Sequence, residues 1–523
     1  MALIPDKIIN TLYNHGSLRN EGAAVRFSIK NRISPATLEA VTQLTLDGTE
    51  VAADKVTVAI DQAEPQPLAQ FNGDGPREFP LGTLLTFRLA LDGLSEAEHE
   101  LGLCFQVQPF GELRLQLRDS LSSGTREPGA LPRDAEDDWD PAIIAARQAF
   151  VREHTGADIR HLSSYSMEPG VTRGNIEHFT GAAQIPLGFA GPLLVHGEHA
   201  QGEFYVPLAT TEGTLVASYN RGMKVLHDSG GVKCTVVGDG MQRAPVFIFE
   251  DALQARRFSE WLLEKDAEIR AAAEATDPFV KLSYIDQYLS HRFVFLRLNY
   301  QTGDAAGMNM VGKATFAACN WILQNCDVAT IERFYLEGNF ATDKKSSMIN
   351  IMRTRGKRVT AEAVVKRDVL LDIMDAETES LYQHYKVATI GSFMAGVNNN
   401  GCHSANGITA MFIATGQDVA NVSESSAGML YCELREGGDL YMSFTLPSLI
   451  VATIGGGTGL PTQRESLETM DCYGIGKVKK FAEIVAGTVL AGEISLAAAI
   501  SSLDWVSSHD QLGRNDQIGR ASC

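Results

Sequence analysis

A chain of 523 residues is long enough for two to four domains with a sizeable core. With 44% hydrophobic and 21% charged residues it reads as an ordinary globular protein, and a net charge of -19 argues against a nucleic-acid partner, which needs clustered Lys and Arg. No uncharged apolar run of about 18 residues is visible, the first residues lack a signal-peptide stretch, and the eight cysteines show no Cys-x-x-Cys spacing; the expectation is a cytoplasmic protein with no membrane span, no structural metal and reduced thiols.

Residues 1 to 121 carry short alternating runs at 24–29, 55–60, 84–89 and 113–117. Period two marks half-buried strands, and turn signals such as Asp47-Gly48 and Asn72-Gly73 separate them. A small all-β sandwich or barrel is predicted, with no catalytic constellation, serving assembly or docking to a protein partner. Residues 122–140 read as a solvated linker, with Pro128, Pro132 and an acidic run from Asp134 to Asp140. A helix is predicted from Pro141, with Pro in its first turn. Beyond it helices and strands mix. The Ala-rich stretch 482–502 predicts a tightly packed helix in which Gly487 and Gly492 let another backbone approach.

Polar residues then appear in apolar or Gly-rich surroundings. Apolar runs on both sides of Glu212 predict partial burial, which raises a carboxyl pKa and suits a proton donor; a paired structural carboxylate fits the same pattern. Residues 303–310, holding Asp304 and Asn309, follow an alternating strand and precede a helix, a turn that can hold a cofactor without being a Rossmann fingerprint. In Asp343-Lys344-Lys345 a lysine can stabilise a developing oxyanion, or simply sit in a solvated turn. Asp418 follows an apolar helix, so it is placed near a core and in need of a cation, for which a lysine is the natural partner. His403, taken alone, reads as a satisfied core histidine. Gly455-Gly456-Gly457-Thr458 can bring backbone N–H groups against an anion, a weak signal by itself. His509 is a lone histidine able to titrate near neutrality.

Taken in order over residues 170 to 515, these segments resemble hydroxymethylglutaryl-CoA (HMG-CoA) reductases. The resemblance rests on Thr210-Thr211-Glu212-Gly213, on Asp304 to Met310, on Thr342-Asp343-Lys344-Lys345, on the His403-x-x-Asn406 to Gly416-Gln417-Asp418 pattern, on Thr453 to Thr458, and on Glu177 to Leu193. It leaves residues 1 to about 140 uncovered. It implies an α+β fold: a large domain around a central helix, carrying an inserted ferredoxin-like cofactor domain near residues 230–335. It also implies a homodimer or higher homo-oligomer with active sites between subunits.

The implied reaction is reduction of the thioester to mevalonate and CoA by two hydride transfers from NADP(H) or NAD(H), with coenzyme A as part of the substrate. By the same resemblance Lys344 stabilises the oxyanion, Glu212 donates a proton, Asp418 holds both in register and His509 protonates the CoA thiolate. Arg243, Asp343, Lys345 and Asn406 match positions that hold the acyl end, with Lys386 a weaker match. Ser218 and Arg221 match positions near CoA, and Glu177 lies in a substrate-side segment. Asp304, Asn309, the residues Gly455, Gly456, Gly457 and Thr458, and Arg514 match the nicotinamide side. NAD-linked mevalonate oxidation, the same chemistry on another acyl thioester, and a non-catalytic scaffold are the rival readings.

Three departures stand out. Glu337 replaces a serine that contacts the substrate carboxylate, and Asp375 replaces a lysine at the CoA phosphates. Asp277 falls where a Ser-Arg pair meets the NADP 2′-phosphate; an acidic residue there repels phosphate and suits a ribose hydroxyl, so NADH is expected to serve at least as well as NADPH. Lys281, Arg292 and Lys357 are the cations able to restore phosphate binding.

Overall fold

The computed structural model describes residues 6–502, apart from 23, 92, 122–129 and 135. Contacts divide the chain into two compact units. One comprises Met1–Gly129, Arg243–Leu298 and Gly312–Phe340; the other comprises Ala130–Gln242, Asn299–Val311 and Ala341–Cys523.

In the first unit the period-two runs become a sandwich of two antiparallel sheets. One runs Arg19–Asn20, Val25–Lys30, Leu84–Leu89, Val56–Ile60, Gln66–Pro67; the other runs Gly111–Ser120, Glu98–Gln108, Ala36–Leu46, Thr49–Glu50, with Arg77–Phe79 also paired to Ala36–Leu46. Alternation sets the register: Phe27 lies opposite Phe87, their rings stacked at 5.0 Å. Leu101, Leu103, Phe105 and Val107 face inward from the other sheet.

The remainder of this unit follows the order strand, helices, strand, strand, helix, strand: Val246–Ile248, Ala252–Glu264 with Asp266–Glu274, Lys281–Ser290, Phe293–Gln301, Met308–Asn325 and Arg333–Tyr335. These strands lie side by side in the order fourth, first, third, second, the ferredoxin-like arrangement that was expected. Leu323 and Phe334 pack against the core of the sandwich.

The second unit surrounds the helix Val478–Ser501, buried along almost its whole length. Against it lies a sheet ordered Gln201–Ala209, Leu187–Gly197, Val232–Arg243, Gly356–Val365, Leu440–Leu449, Met429–Leu434, antiparallel except between the second and third strands. By length and composition this helix is apolar enough to cross a membrane, which the sequence reading did not find. Its apolar window lies mostly inside the protein, as a core helix does.

Two carboxylates in this apolar helix are satisfied by backbone. Glu493 accepts from the N–H groups of Cys402, His403 and Ser404, and Glu483 from those of Glu198, His199 and Ala200. The close approach expected at the helix glycines is partly relocated. A Cβ at Gly492 would lie 2.4 Å from the Tyr219 ring, whereas the backbone contact falls at Gly222, where a Cβ would lie 1.9 Å from the Ala491 carbonyl oxygen.

The described part of the acidic linker is pinned rather than merely solvated. Asp138 pairs with fully buried Arg147, Asp137 pairs with Arg173 at 2.6 Å, and Asp140 caps the helix Pro141–Thr155. That helix begins at the predicted proline.

Candidate active site

Lys344 sits in a turn whose backbone is under strain. Asn339, Thr342 and Lys344 have φ of 63°, 61° and 57°, and Thr342, being β-branched, adopts such a conformation only when its surroundings impose it. The imposing groups lie around it. Thr342 donates to the Asn350 side chain at 2.8 Å, and the Lys344 N–H donates to Glu424 at 3.3 Å. Glu424 and Arg355 are both fully buried and 3.1 Å apart, and Arg355 also donates to Asp343 at 2.6 Å. Burial pushes the Glu424 carboxyl up to about 7 in spite of the neighbouring guanidinium.

The Lys344 ammonium lies 2.9 Å from an Asp418 carboxylate oxygen. That hydrogen bond raises the lysine pKa and keeps it protonated at neutral pH. The predicted Lys–Asp partnership is therefore present. The predicted burial is not: the two side chains are 43% and 37% exposed. Asp418 instead caps the short turn Val419–Asn421. Lys345 is exposed and donates to the Asp343 carbonyl at 2.9 Å.

A second polar chain runs through His403. Its Nε2 lies 3.2 Å from the Ser218 hydroxyl and its Nδ1 lies 3.2 Å from the Asn406 amide. Ser218 meets Ser495 at 3.0 Å, and Arg221 donates to the same serine. Burial drops the His403 pKa to about 4, so it is a neutral, satisfied core histidine, as read from sequence. The ring of Tyr219 stacks on it at 4.7 Å, and the Tyr219 hydroxyl donates to the His403 carbonyl.

The glycine loop packs on the segment leading to Asp418: a Cβ at Gly416 would lie 2.2 Å from the Gly457 carbonyl oxygen. Thr458 is buried and donates to the Gly455 carbonyl. Gly455 and Gly456 are exposed with open space above them, room for a ligand to meet the backbone. Asp304 is half-buried, and its two oxygens accept from the N–H groups of Gly476 and Val478 at the start of the central helix. Asn309 is exposed on the first turn of its helix.

Glu212 departs from expectation. It is exposed in the single chain, in a turn where its N–H donates to the Thr210 hydroxyl, so the burial predicted for it is missing. The flanking apolar runs belong to the strand Gln201–Ala209 and the helix Leu215–Asp228, which bury their own side chains and leave the turn outside. Glu177 is exposed, and Lys386 is exposed with its ammonium 4.7 Å from the Tyr382 ring centre. His509 and Arg514 lie outside the described residues.

In the first unit, Arg243 lies 3.5 Å from Glu337. Asp277 accepts from the Phe279 N–H and closes a local turn. The candidate phosphate cations are engaged with carboxylates: Lys281 with Glu274, Arg292 with Glu332, and Lys357 with Asp239. Asp375 ends the helix Arg367–Met374 in a left-handed conformation.

Residues 143–514 match the family model described as hydroxymethylglutaryl-coenzyme A reductase. The chain belongs to this family. The reductase of Aeropyrum pernix is 41% identical over 393 residues, covering 74% of this chain and 92% of the relative. That of Methanothermobacter thermautotrophicus is 42% identical over 362 residues, covering 69% and 90%. The solved class II HMG-CoA reductase of Streptococcus pneumoniae bound to NADPH shares the fold, with a TM-score of 0.52 at 22% identity over 63% of this chain and 89% of that one.

A separate model, for the N-terminal domain of HMG-CoA reductase, matches residues 8–122. The β-sandwich is thus itself a family domain, which corrects the reading that left residues 1 to about 140 outside the resemblance.

Sequence reasoning missed Arg355 and Glu424. Arg353-Thr354-Arg355 reads as a solvated basic run, and Glu424 stands among small polar residues. Glu483 and Glu493 were missed as well, although a lone carboxylate in an apolar helix must find donors, and that signal could have found them.

Proposed function

We infer that the chain reduces HMG-CoA to mevalonate and CoA, in the cytoplasm and as a homodimer or larger homo-oligomer. Family membership together with the Lys344–Asp418 pair carries this reading. A cationic ammonium beside a carboxylate suits a carbonyl that gains negative charge when a hydride arrives. In this mechanism Lys344 holds the substrate oxyanion, and Asp418 keeps that lysine charged and aimed. Glu212 donates the proton to the carbonyl-derived oxygen, and His509 protonates the departing thiolate. Arg243, Asp343, Lys345 and Asn406 hold the acyl end, with Lys386 as the weaker match there, and Ser218 and Arg221 face CoA.

The nicotinamide, when bound, supplies the two hydrides. The open backbone at Gly455 and Gly456, with Thr458 beneath and Asn309 exposed on a helix start, offers it a seat. Asp304 serves this seat indirectly, by fixing the turn to the central helix. With Asp277 in a local turn and Lys281, Arg292 and Lys357 engaged with carboxylates, NADH is favoured at least equally with NADPH.

An oligomer accounts for two features. Glu212 lacks burial in the single chain, and the helix Thr378–Ala395 exposes Val387, Ile390, Phe393 and Met394, an apolar face suited to a second copy. The described cysteines are free thiols, in keeping with a reducing compartment.

The test is a spectrophotometric assay of HMG-CoA with NADH and with NADPH, followed by product identification. Mevalonate formation with NADH at a rate no lower than with NADPH is expected. Absence of turnover with either cofactor overturns the reaction; a strong NADPH preference that survives Asp277→Ser overturns the cofactor reading.

A further inference from the structure

An acyl group with a distal carboxylate needs a cation, and Arg243 is, together with Lys345, assigned to that end above. In this structure Arg243 already has an internal carboxylate. Glu337 places one oxygen 3.5 Å from the Arg243 guanidinium and 3.4 Å from the Ala244 N–H. Both side chains are largely sheltered, 17% and 31% exposed, so the pair is less screened than one on an open surface. The backbone beneath is fixed: Gly338 donates to the Ala244 carbonyl at 2.7 Å, and a Cβ at Gly338 would lie 3.0 Å from Val246. Glu337 is therefore anchored at its main chain beside Arg243.

Its side chain is not equally well held. The other carboxylate oxygen is buried and has no hydrogen-bond partner. A buried unsatisfied oxygen weakens the bound arrangement, and both contacts of its companion are long for charge-assisted hydrogen bonds. A carboxylate seated this loosely can be displaced by a better-fitting one.

We propose that Glu337 is a specificity-determining residue, an internal carboxylate that occupies Arg243 in the free enzyme and must be displaced by the distal carboxylate of the substrate. This rests on the reading of Arg243 as an acyl-end cation. It goes beyond that reading by assigning Glu337 a competitive role, in which it weakens the binding of acyl groups with a terminal carboxylate and leaves neutral acyl thioesters unaffected. Displacement leaves the Glu337 carboxyl group at the site, one acidic group more than a serine in its place would give it. The burden falls on binding and not on the hydride steps, since Glu337 acts at the acyl end and Lys344 at the reacting carbonyl.

Steady-state kinetics of the full-length enzyme with Glu337→Ser and the nearly isosteric Glu337→Gln test this. For HMG-CoA, KM is expected to fall at least fivefold in both variants, with kcat within twofold of wild type. Calorimetric titration with free hydroxymethylglutarate should show a matching gain in affinity, a readout that needs no turnover. A CoA thioester of similar length without the distal carboxylate should show no change between wild type and variants. An unchanged or raised KM for HMG-CoA in Glu337→Gln, with a wild-type melting temperature, overturns the proposal. Failure of the underlying reading looks different: the wild-type enzyme itself would not turn over HMG-CoA.

Discussion

Glu424 lies beneath the turn that carries Lys344, and its environment makes a definite demand on pH. Its ordinary pKa is 4.5, and burial raises it to about 7 in the folded protein. Between those values the folded state holds a proton that the unfolded state has released, so stability falls as pH rises through that window and levels off above it. The size of the effect is on the order of 3 kcal/mol, from the shift itself. Glu424→Gln fixes the group in a neutral form close to the protonated one. The variant should gain relative to wild type as pH climbs from about 4.5 to 7, with no further change above 7, when unfolding midpoints of the two are compared across pH. Parallel curves throughout would show that Glu424 does not titrate in this window. Charge on Glu424 also bears on chemistry, because its carboxylate accepts the Lys344 N–H and faces Arg355, which in turn holds Asp343. It is a positioning residue for the turn and has no assigned contact with substrate.

Among the elements, the crossing of the helices Leu215–Asp228 and Val478–Ser501 depends on one absent side chain. A Cβ at Gly222 would meet the Ala491 carbonyl oxygen and carbon at 1.9 and 2.5 Å, all backbone of a buried helix that has little room to retreat. Gly222→Ala should cost roughly 1–3 kcal/mol, the usual range for overpacking, and lower the melting temperature. Because Ser218 and Arg221 bond Ser495 across the same crossing, the KM for HMG-CoA should rise with it. An unchanged melting temperature would mean that the helices are not locked at this distance.

This crossing also shows what sequence could reveal. The Ala-rich stretch announces a packed helix, and the strands of the sandwich are legible because their inward residues alternate. Which small residue faces which neighbour is not legible: Gly492 makes room for the Tyr219 ring, and the backbone contact is at Gly222. The same limit governs the site. Asp418 was expected to need a lysine, and Lys344 is its partner. The burial expected of Glu212 and Asp418 was inferred from flanking apolar residues, and those turn toward their own strand and helix cores while the turns between them stay outside. Arg355 was invisible because a buried arginine and a solvated one have the same local sequence.

At the scale of the whole molecule, the exposed Glu212 and the exposed apolar helix call for a common explanation. On the helix Thr378–Ala395, Phe393 is 83% and Met394 80% exposed, beside Val387 and Ile390, and Val397 follows them at the helix end. A contiguous patch of this kind leaves a large apolar area in water unless something covers it. An isologous contact between two copies would cover it twice at once. Such a contact excludes water from whatever it encloses, and desolvation strengthens the charge interactions inside it. Phe393→Glu places a charge in the middle of this patch, far in chemistry from any proton transfer. The wild-type enzyme should elute as a dimer or larger assembly and the variant as a monomer in size-exclusion chromatography with light scattering. Turnover of HMG-CoA should fall by at least tenfold in the variant while its melting curve stays cooperative. A monomeric wild type with full activity would remove the oligomer from the mechanism, and Glu212 would then have to act as a solvent-exposed acid.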